Sequence, residues 1–410
     1  MRFLYSIGIY LYSFGILLSS LFNAKAREWV RGRRNLFERL AVSLEDSSET
    51  VWFHCASLGE YEQAKPLIEI VKAEKPACKI ITTFFSPSGY VHAAKDGLSD
   101  MVSYLPIDTP RNARKFVEMV RPRAVFFVKY EYWYNFMNVL HEKGVPFYYI
   151  SAIFREKQHF FRSYGRWFAK HLAYAGHFFV QDENSRNLLG AIGINEVTVC
   201  GDTRFDRVKK IADDAMPIDF VESFRGDSKL IVAGSTWRPD EELLSSLLAS
   251  LPAFKLVVAP HEVSRAEEVK SVFSAFKTAT YSHIDNSTFS SCQVLIVDTV
   301  GMLSRLYRYG DISYVGGAFK TGLHNTLEPA VYGKPVFFGP RYERFNEAVG
   351  LVKAKGAFSV RTSEEMLRIV QQFLQDHEYY KHTCQVCEGY VAGNLGAAMK
   401  IFDHVKNQIK

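Results

Sequence analysis

Short apolar segments alternate with helical segments along most of this chain, and this alternation restricts the fold more than any other feature of the sequence. From Val51 onward, the segments VWFHC, KIITTF, AVFFV, PFYYIS and HFFVQ have the length and composition of buried strands. Helical spacing follows them, as in residues 60–74 and 111–120. Repeated strand–helix units predict a parallel sheet with helices on both faces, and hence an α/β fold.

A second series of the same kind begins after a break in the pattern. The break covers residues 201–219, GDTRFDRVKKIADDAMPID, where clustered charges and Pro217 predict a linker. The segments KLIVAG, FKLVVAP, CQVLIVD, DISYVG and PVFFG then read as buried strands. The sequence therefore predicts two doubly wound domains, with a ligand-binding cleft at the carboxyl ends of their strands.

Composition excludes several classes of protein. Apolar residues make up 48% of the 410 residues and charged residues 23%, which is typical of a globular protein. A net charge of +6 is too small to indicate nucleic-acid binding, and no nucleic-acid partner is expected. The cysteines are scattered, as in a reduced cytosolic chain, and the Cys384–Cys387 pair is better explained by helix packing than by zinc. No D-x-D pair follows a strand and no G-x-G-x-x-G follows the first strand, so neither a metal nor a dinucleotide cofactor is expected.

The N-terminus differs from the rest of the chain. Residues 3–22 carry no charge, and five basic residues follow between Lys25 and Arg34. This length and this flank predict a membrane anchor, residues 1–26, with everything after it on the cytoplasmic side. A cleaved signal peptide is the alternative, because residues 24–26 have the A-x-A form. A helix lying in the membrane interface is also compatible with the serines and tyrosines of this segment.

The second half contains the densest group of candidate binding residues, in residues 314–340. Gly316 and Gly317 end a strand and allow a close backbone approach to a ligand. Asn325 or Thr326 can cap the helix that follows, with Glu328 in its first turn. A capped helix alone explains the glutamate, but the added glycines and a nearby histidine favour a nucleotide site.

Three further strand ends in this half carry similar features. Small hydroxylated residues follow one strand, a Pro-His pair follows another, and an Asp-Thr-x-Gly segment follows a third. Each is weak alone, since such corners often carry Gly, Ser and Asp, but together they favour phosphate or carboxylate binding at one sheet edge. The residues are Ser235, Thr236, Pro260, His261, Asp298, Thr299 and Gly301.

The first half offers candidates for the chemistry. Glu60 begins a helix after the first strand and is a candidate general base, although a glutamate there also complements the helix dipole. Glu131 follows the strand AVFFV at the same predicted rim. Arg204 lies where the chain leaves the first domain, and could face a leaving phosphate or simply be an exposed linker arginine.

The segment at residues 153–172 interleaves basic and aromatic side chains. The pattern fits an anionic lipid surface, and equally a core helix with a solvated basic side. The residues are Arg155, Lys157, Phe160, Phe161, Arg162, Arg166, Trp167, Phe168 and Lys170.

Six motifs, in order along the chain, give it a family resemblance. They are SLGE at residues 57–60, GDTRFD at 201–206, GSTWRPDEE at 234–242, DTVGML at 298–303, VGGAF at 315–319 and HNTLEP at 324–329. With them, nearly the whole chain resembles the 3-deoxy-D-manno-octulosonic acid (Kdo) transferases of lipopolysaccharide synthesis.

The resemblance implies the GT-B fold, in which two Rossmann-like domains hold the active site between them. It implies an anchor at residues 1–26, an acceptor domain at 27–210, a CMP-Kdo donor domain at 211–387, and a C-terminal helix at 388–410 that packs back on the first domain. It further implies transfer of Kdo, with inversion, from CMP-Kdo to a lipid A precursor at the cytoplasmic face of the bacterial inner membrane. The number of Kdo units, the acceptor's acylation and the oligomeric state do not follow from it.

Functional roles carry over to matching positions. The resemblance makes Glu60 the proton acceptor, with Glu131 and Arg204 stabilising the transition state. Three departures from the family pattern concern Arg204, which is usually lysine, Met302, which is often glutamate, and a missing arginine between Pro260 and His261. The implied CMP contacts are Pro260, His261, Val300, Gly301, Met302, Asn325, Thr326, Leu327 and Glu328, and further donor contacts are Ser235, Thr236, Gly316 and Gly317.

Two alternatives remain open from the sequence. Another GT-B enzyme, either a UDP-sugar transferase or a sugar-nucleotide epimerase, would share the fold and the nucleotide site. A non-catalytic nucleotide-binding scaffold at the membrane would bind nucleotide without consuming it. The anchor argues against an epimerase, and the two rim glutamates argue against a scaffold.

Overall fold

The computed structural model describes residues 1–44, 50–284, 289–320 and 322–409. The chain forms two compact units. Met1–Arg207 together with Leu395–Lys410 make up the N-terminal unit, and Val208–Asn394 make up the C-terminal unit.

A parallel seven-stranded sheet forms the centre of the N-terminal unit, in the order β3-β2-β1-β4-β5-β6-β7. The strands are β1 (Thr50–Cys55), β2 (Lys79–Phe84), β3 (Met101–Tyr104), β4 (Pro122–Val128), β5 (Phe147–Ala152), β6 (His177–Val180) and β7 (Val197–Val199).

Helices surround this sheet. They are α1 (Arg2–Ser19), α2 (Ala24–Gly32), α3 (Leu36–Ser43), α4 (Leu58–Glu74), α5 (Pro87–Asp96), α6 (Pro110–Val120), α7 (Tyr134–Glu142), α8 (Arg166–Leu172), α9 (Glu183–Ala191), α10 (Arg204–Asp213), which runs across the boundary between the units, and, from the end of the chain, α19 (Ala397–Val405).

The two faces of this sheet carry separate apolar cores. Trp52 and Phe127 belong to one core, and Phe53 and Phe126 to the other, because successive side chains of a strand point to opposite faces. Ile401 and other apolar residues of α19 complete the second core. The end of the chain is therefore part of the N-terminal unit.

The C-terminal unit has its own parallel seven-stranded sheet, in the order β10-β11-β9-β8-β12-β13-β14. The strands are β8 (Lys229–Thr236), β9 (Phe254–Pro260), β10 (Thr278–Thr280), β11 (Val294–Ile296), β12 (Ile312–Val315), β13 (Val336–Phe338) and β14 (Ala357–Ser359). The helices are α11 (Asp219–Arg225), α12 (Arg238–Ala249), α13 (Ala266–Val272), α14 (Leu303–Leu306), α15 (Leu327–Ala330), α16 (Asn346–Ala354), α17 (Ser363–Gln375) and α18 (His377–Ala392).

The predicted α/β fold with two parallel sheets is confirmed, and every segment predicted as a strand contains one. Four strands escaped the sequence analysis, and all four lie at sheet edges: β3, β7, β10 and β14. An edge strand has one neighbour and incomplete burial, so it lacks the continuous apolar run that marks a central strand.

The division between the two units, after Arg207, falls within the linker predicted at residues 201–219, but part of this segment is helical. Residues from Arg204 to Asp213 form α10, within which Lys209 pairs with Asp213 one helical turn later. Asp206 accepts hydrogen bonds from the backbone N–H groups of Gly396 and Ala398, at 2.6 and 2.9 Å, and so caps the start of α19. The clustered charges therefore belong to a surface helix that also fastens the C-terminal helix.

Candidate active site

The order of the N-terminal sheet places two glutamates at one point on its carboxyl edge. Strands β2 and β3 lie on one side of β1, and β4 to β7 lie on its other side. The strand order therefore reverses between the neighbours β1 and β4. Glu60 follows β1 and Glu131 follows β4. Ligands of open α/β sheets bind where the strand order reverses, so both glutamates flank the expected binding point.

Glu60 lies in the first turn of α4 and is largely removed from solvent. The backbone N–H of Ala56 donates a hydrogen bond to its Oε2. Burial, and next the negative charge of Glu131, raise the pKa of Glu60 to about 8, although the Ala56 hydrogen bond and the charge of Lys129 act in the opposite direction. A carboxyl group with a raised pKa is a stronger base than an ordinary glutamate once it has lost its proton.

Glu131 is held by hydrogen bonds to a single oxygen. The Trp133 Nε1–H donates to Glu131 Oε2 at 2.7 Å, and His54 Nε2 lies 3.0 Å from the same atom. Glu131 is buried, with 8% of its surface exposed. Its carboxylate is thus fixed in orientation beside Glu60.

Arg204 forms an ion pair within the same unit. Its Nε and Nη2 atoms lie 2.9 and 2.8 Å from Asp202 Oδ2, and its backbone N–H donates to Asp202 Oδ1 at 2.9 Å. Burial would raise the pKa of Asp202, but Arg204 outweighs it and the pKa is lowered. Arg204 acts electrostatically on Tyr130, as does Glu60, so the three predicted catalytic residues belong to one neighbourhood.

Lys129 also belongs to this site, and the sequence analysis missed it. It begins the turn after β4 with a left-handed backbone, φ +63°. Its positive charge lowers the pKa of both Glu60 and Asp202. Its position two residues before Glu131, directly after a buried strand, was the available signal.

The C-terminal sheet reverses between β8 and β12, and predicted donor contacts lie at that point. A side chain at Gly316 would collide with the backbone oxygen of Ser235. The turns that contain these two residues therefore contact each other through main-chain atoms. Gly317 has φ +95°, and a side chain there would collide with the backbone oxygen of Gly322. Both glycines are required for the fold of the turn.

Buried charged residues form hydrogen bonds and an ion pair next to this sheet edge. Asp240 accepts hydrogen bonds from Tyr314 Oη at 2.9 Å and from the Gly317 N–H at 3.0 Å. Arg265 binds both oxygens of the fully buried Glu241, at 3.0 and 2.8 Å. Asp240 and Glu241 entered the sequence analysis only as part of the motif GSTWRPDEE, and Arg265 did not enter it, because their partners are distant in the chain.

The rings of Trp237, His261 and His324 lie next to one another in the same unit. The rings of His261 and His324 stack with centroids 4.5 Å apart, and Trp237 lies 5.0 Å from His261. Burial, and next the proximity of His261, lower the pKa of His324 to about 4. His324 is therefore neutral at physiological pH, and its Nε2 has no hydrogen-bond partner among the described residues.

The predicted turn at residues 325–328 is present. Asn325 Oδ1 accepts from the Leu327 N–H at 3.2 Å, and Asn325 Nδ2 donates to Glu328 Oε1 at 3.2 Å. Thr326 is fully buried, and its hydroxyl has no partner within the described part of the chain. Thr326 stands at the N-cap of α15 without a side-chain cap bond, and the residue before it, Asn325, accepts from the first N–H of the helix.

The remaining predicted CMP residues lie on loops of the same unit. Pro260 ends β9, and the His261 N–H donates to the Thr236 oxygen at 3.0 Å. Val300 is 84% exposed, Gly301 has φ +96°, and Met302 precedes α14. Beside the Gly317 turn lies a cavity of about 300 Å³, lined among others by Trp237, Arg238, Phe319 and Lys320.

The sequence of this chain is similar to those of known proteins. Residues 34–207 match the family model of 3-deoxy-D-manno-octulosonic-acid transferase. A Kdo transferase of Aquifex aeolicus is 26% identical over 342 residues, covering 81% of this chain and 88% of that protein. One of Haemophilus influenzae is 27% identical over 376 residues, covering 87% and 86%. The chain is similar to Kdo transferases over most of its length.

A bifunctional relative and two solved structures complete the comparison. This chain is 25% identical over 353 residues, 82% of its length, to a bifunctional glycosyltransferase/methyltransferase of Fusobacterium nucleatum, of which it spans about half, 54%. The UDP-GlcNAc 2-epimerase of Neisseria meningitidis matches with a TM-score of 0.63 at 16% identity, over 87% of this chain and all of the other. MurG of Acinetobacter baumannii matches with a TM-score of 0.56 at 11% identity, over 88% and 99%. These structures establish the GT-B fold alone.

Proposed function

We propose that this protein transfers Kdo from CMP-Kdo to a lipid A precursor, with Glu60 as general base and with inversion at the anomeric carbon. The observation that carries the proposal is the pair of Glu60 and Glu131 at the reversal point of the N-terminal sheet, with the pKa of Glu60 raised to about 8. Kdo transferase relatives at about a quarter identity support the substrate class.

The proposed step balances as a single displacement. Glu60 takes the proton of an acceptor hydroxyl, the hydroxyl oxygen forms a bond to the anomeric carbon, and the bond from that carbon to the CMP phosphate oxygen breaks. Positive charge builds on the sugar ring during this step, and the fixed carboxylate of Glu131 stabilises it. Arg204 offsets the negative charge of the departing phosphate.

Donor binding is assigned to the C-terminal unit. Two buried polar groups have no hydrogen-bond partner among the described residues: Nε2 of His324 and the hydroxyl of Thr326. A nucleotide can supply these hydrogen bonds. The same turn contains backbone without bulky side chains, at Ser235, Gly316 and Gly317. A phosphate can approach this backbone closely. The exposed Val300–Met302 loop and His261 complete the proposed CMP contacts.

Helix α1 supports membrane attachment. It is long and apolar enough to cross a bilayer. However, Tyr5 Oη donates to the buried Asp108 at 2.6 Å, and halfway along the helix Tyr12 stacks on Phe85 at 6.3 Å. We propose that α1 lies in the membrane interface rather than across the bilayer, because crossing would break these contacts. Exposed apolar side chains on its other side would enter the lipid: Phe3, Leu4, Leu11, Phe14, Leu17 and Leu18.

Basic side chains flank this helix on the same unit. In the segment at residues 153–172, Phe160 is buried and Trp167 packs on the core, so the aromatic residues belong to the interior. The basic residues of the segment are exposed. The ring centroids of Tyr5 and Trp167 are 6.1 Å apart, which places the segment beside α1. This combination fits the anionic cytoplasmic face of a bacterial inner membrane.

Mass spectrometry of a purified lipid A precursor after incubation with the protein and CMP-Kdo tests the proposal. Each added Kdo unit raises the acceptor mass by a fixed increment, so the spectrum reports both the activity and the number of units. An unchanged acceptor mass with folded protein contradicts the proposal. Calorimetry comparing CMP with UDP separates it from the alternative of a UDP-dependent transferase or epimerase, which requires tighter UDP binding.

A further inference from the structure

His54 is a fully buried residue next to the proposed chemistry, and neither the motifs nor the comparisons assign it a role. It lies on β1, opposite Thr83 of β2 and Phe127 of β4 in the sheet register. None of its surface is exposed. A histidine in the centre of a parallel sheet costs free energy unless both ring nitrogens are satisfied.

The Nδ1 atom of His54 is satisfied in either protonation state. The Thr83 hydroxyl oxygen lies 2.9 Å away and can donate to it, and the Thr83 carbonyl oxygen lies 3.1 Å away and can accept from it. Trp52 Nε1–H donates to the Thr83 hydroxyl at 2.8 Å and holds that hydroxyl in place. The support of His54 is therefore a chain from Trp52 through Thr83.

The Nε2 atom faces Glu131 Oε2 at 3.0 Å. An ionised carboxylate can only accept, so Nε2 carries the hydrogen and donates it whenever Glu131 is charged. Trp133 Nε1–H donates to the same oxygen at 2.7 Å. It also lies 3.0 Å from His54 Nε2, which accepts from it only in the tautomer that carries its hydrogen on Nδ1. No hydrogen bond from the described residues reaches Oε1 of Glu131, which leaves this oxygen for the reaction.

We infer that His54 is a positioning residue, which together with Trp133 fixes Glu131 as an oriented carboxylate beside Glu60. The inference rests on the function proposed above for its catalytic meaning, but its geometry stands independently. Its consequence is a division of roles between two neighbouring carboxyl groups: Glu131 presents an oriented oxygen, and Glu60 takes up and releases the proton.

The surroundings add other charges that act on this pair. The carboxylates interact with groups on β1, on the turn after β4 and on β5. These groups are Cys55, Lys129, Tyr130, Tyr132 and Tyr149. Tyr149 Oη donates to the backbone oxygen of Glu131 at 3.2 Å rather than to its carboxylate, and the ring donor Trp133 is tested by a variant of its own.

Carboxyl ¹³C NMR titration of Glu60 in the purified full-length protein tests the inference without any substrate. The Glu60 signal is assigned by its loss in Glu60→Gln. In His54→Leu, the carboxylate of Glu131 loses one of its two ring partners and is no longer held beside Glu60, so its charge acts less on Glu60 and the Glu60 titration midpoint falls by about one pH unit. His54→Gln restores a donor at the position of Nε2 and brings the midpoint back toward the wild-type value.

Matched variants keep the test decisive. His177→Gln replaces another buried histidine of the same sheet, on β6, and leaves the Glu60 midpoint unchanged. If His54→Leu does not fold, Trp133→Phe removes the other donor to Oε2 and lowers the midpoint in its place. A folded His54→Leu or Trp133→Phe with the wild-type Glu60 midpoint overturns the inference.

Kinetics connect the inference to activity. His54→Leu lowers kcat for Kdo transfer roughly 10- to 100-fold while KM for CMP-Kdo changes little, as expected for one lost charged hydrogen bond. If the wild-type protein transfers no Kdo, the proposed function fails while the NMR result still decides the role of His54. Unchanged kcat in a variant with a shifted Glu60 midpoint removes the catalytic part of the inference.

Discussion

Glu60 and Glu131 follow two neighbouring parallel strands, and burial, and next the charge of Glu131, raise the pKa of Glu60. The two residues belong to different strand–helix units and meet because β1 and β4 are adjacent in the sheet. The carboxyl group of Glu131 accepts from the ring N–H of Trp133 and faces His54 Nε2, and that of Glu60 accepts from a backbone N–H.

Replacing Glu60 by glutamine is expected to abolish transfer and to stabilise the fold. The folded-state pKa of Glu60 lies above the ordinary value of 4.5, so its contribution to stability is lost as pH rises toward about 8. Glu60→Gln does not ionise, and its free energy of unfolding at pH 8 should exceed that of the wild type by roughly 1–3 kcal/mol. Urea unfolding and the acceptor mass shift measure the two effects.

Glu62 provides the matched control on the same helix. Burial would raise the pKa of Glu62, but Lys65 and Arg207 outweigh it and the pKa is lowered. Its charge therefore stabilises the fold above the ordinary glutamate pKa, and Glu62→Gln should be less stable than the wild type while still transferring Kdo. Equal stability changes in the two variants would contradict the assigned surroundings of Glu60.

The rate of transfer should increase with pH up to about 8. Glu60 acts as a base only after losing its proton, so below its pKa the rate falls about tenfold per pH unit. Initial rates at saturating CMP-Kdo between pH 5.5 and 9 give the profile. A rate that is constant down to pH 5.5 would assign the base to a group of ordinary pKa.

Arg204 should affect both stability and rate. Removing its charge leaves Asp202, which is 4% exposed, without its cation. Arg204→Gln is expected to cost about 3 kcal/mol in unfolding free energy, and Arg204→Lys less, because the charge remains although the planar fork is lost. Denaturant unfolding and transfer rates compare the two, and identical behaviour would exclude the ion pair as the cause.

Gly317→Ala should destroy nucleotide binding. The added methyl group meets the Gly322 oxygen in a left-handed turn, so the turn that carries the proposed donor contacts must shift. CMP affinity measured by calorimetry is expected to fall at least tenfold. Gly193→Ala is the control, since Gly193 also has positive φ but open space around it, and CMP affinity should persist.

Charges placed on the exposed side of α1 should release the protein from membranes. Leu11 and Leu18 are 66% and 50% exposed, and the double variant Leu11→Glu/Leu18→Glu would bury two carboxylates in lipid. Flotation with vesicles containing anionic lipid should show at least a tenfold loss of binding. Leu374→Glu, at an exposed leucine of the C-terminal unit, should float like the wild type.

The sequence alone determined the two α/β units, their central strands and the chemical types at the strand ends. Buried parallel strands carry continuous apolar runs, and glycine at Gly316 and Gly317 marks turns that other residues cannot adopt. These are local properties of the chain. The edge strands, whose burial is incomplete, left no such local mark.

Tertiary structure alone decided which of those strand ends meet. The adjacency of β1 and β4 pairs Glu60 with Glu131, and the register of β1 with β2 sets His54 against Thr83. Lys129, Asp240 and Arg265 gained their roles in the same way, through partners distant in the chain. A proton affinity depends on burial and on neighbouring charge, and both exist only after the sheet has assembled.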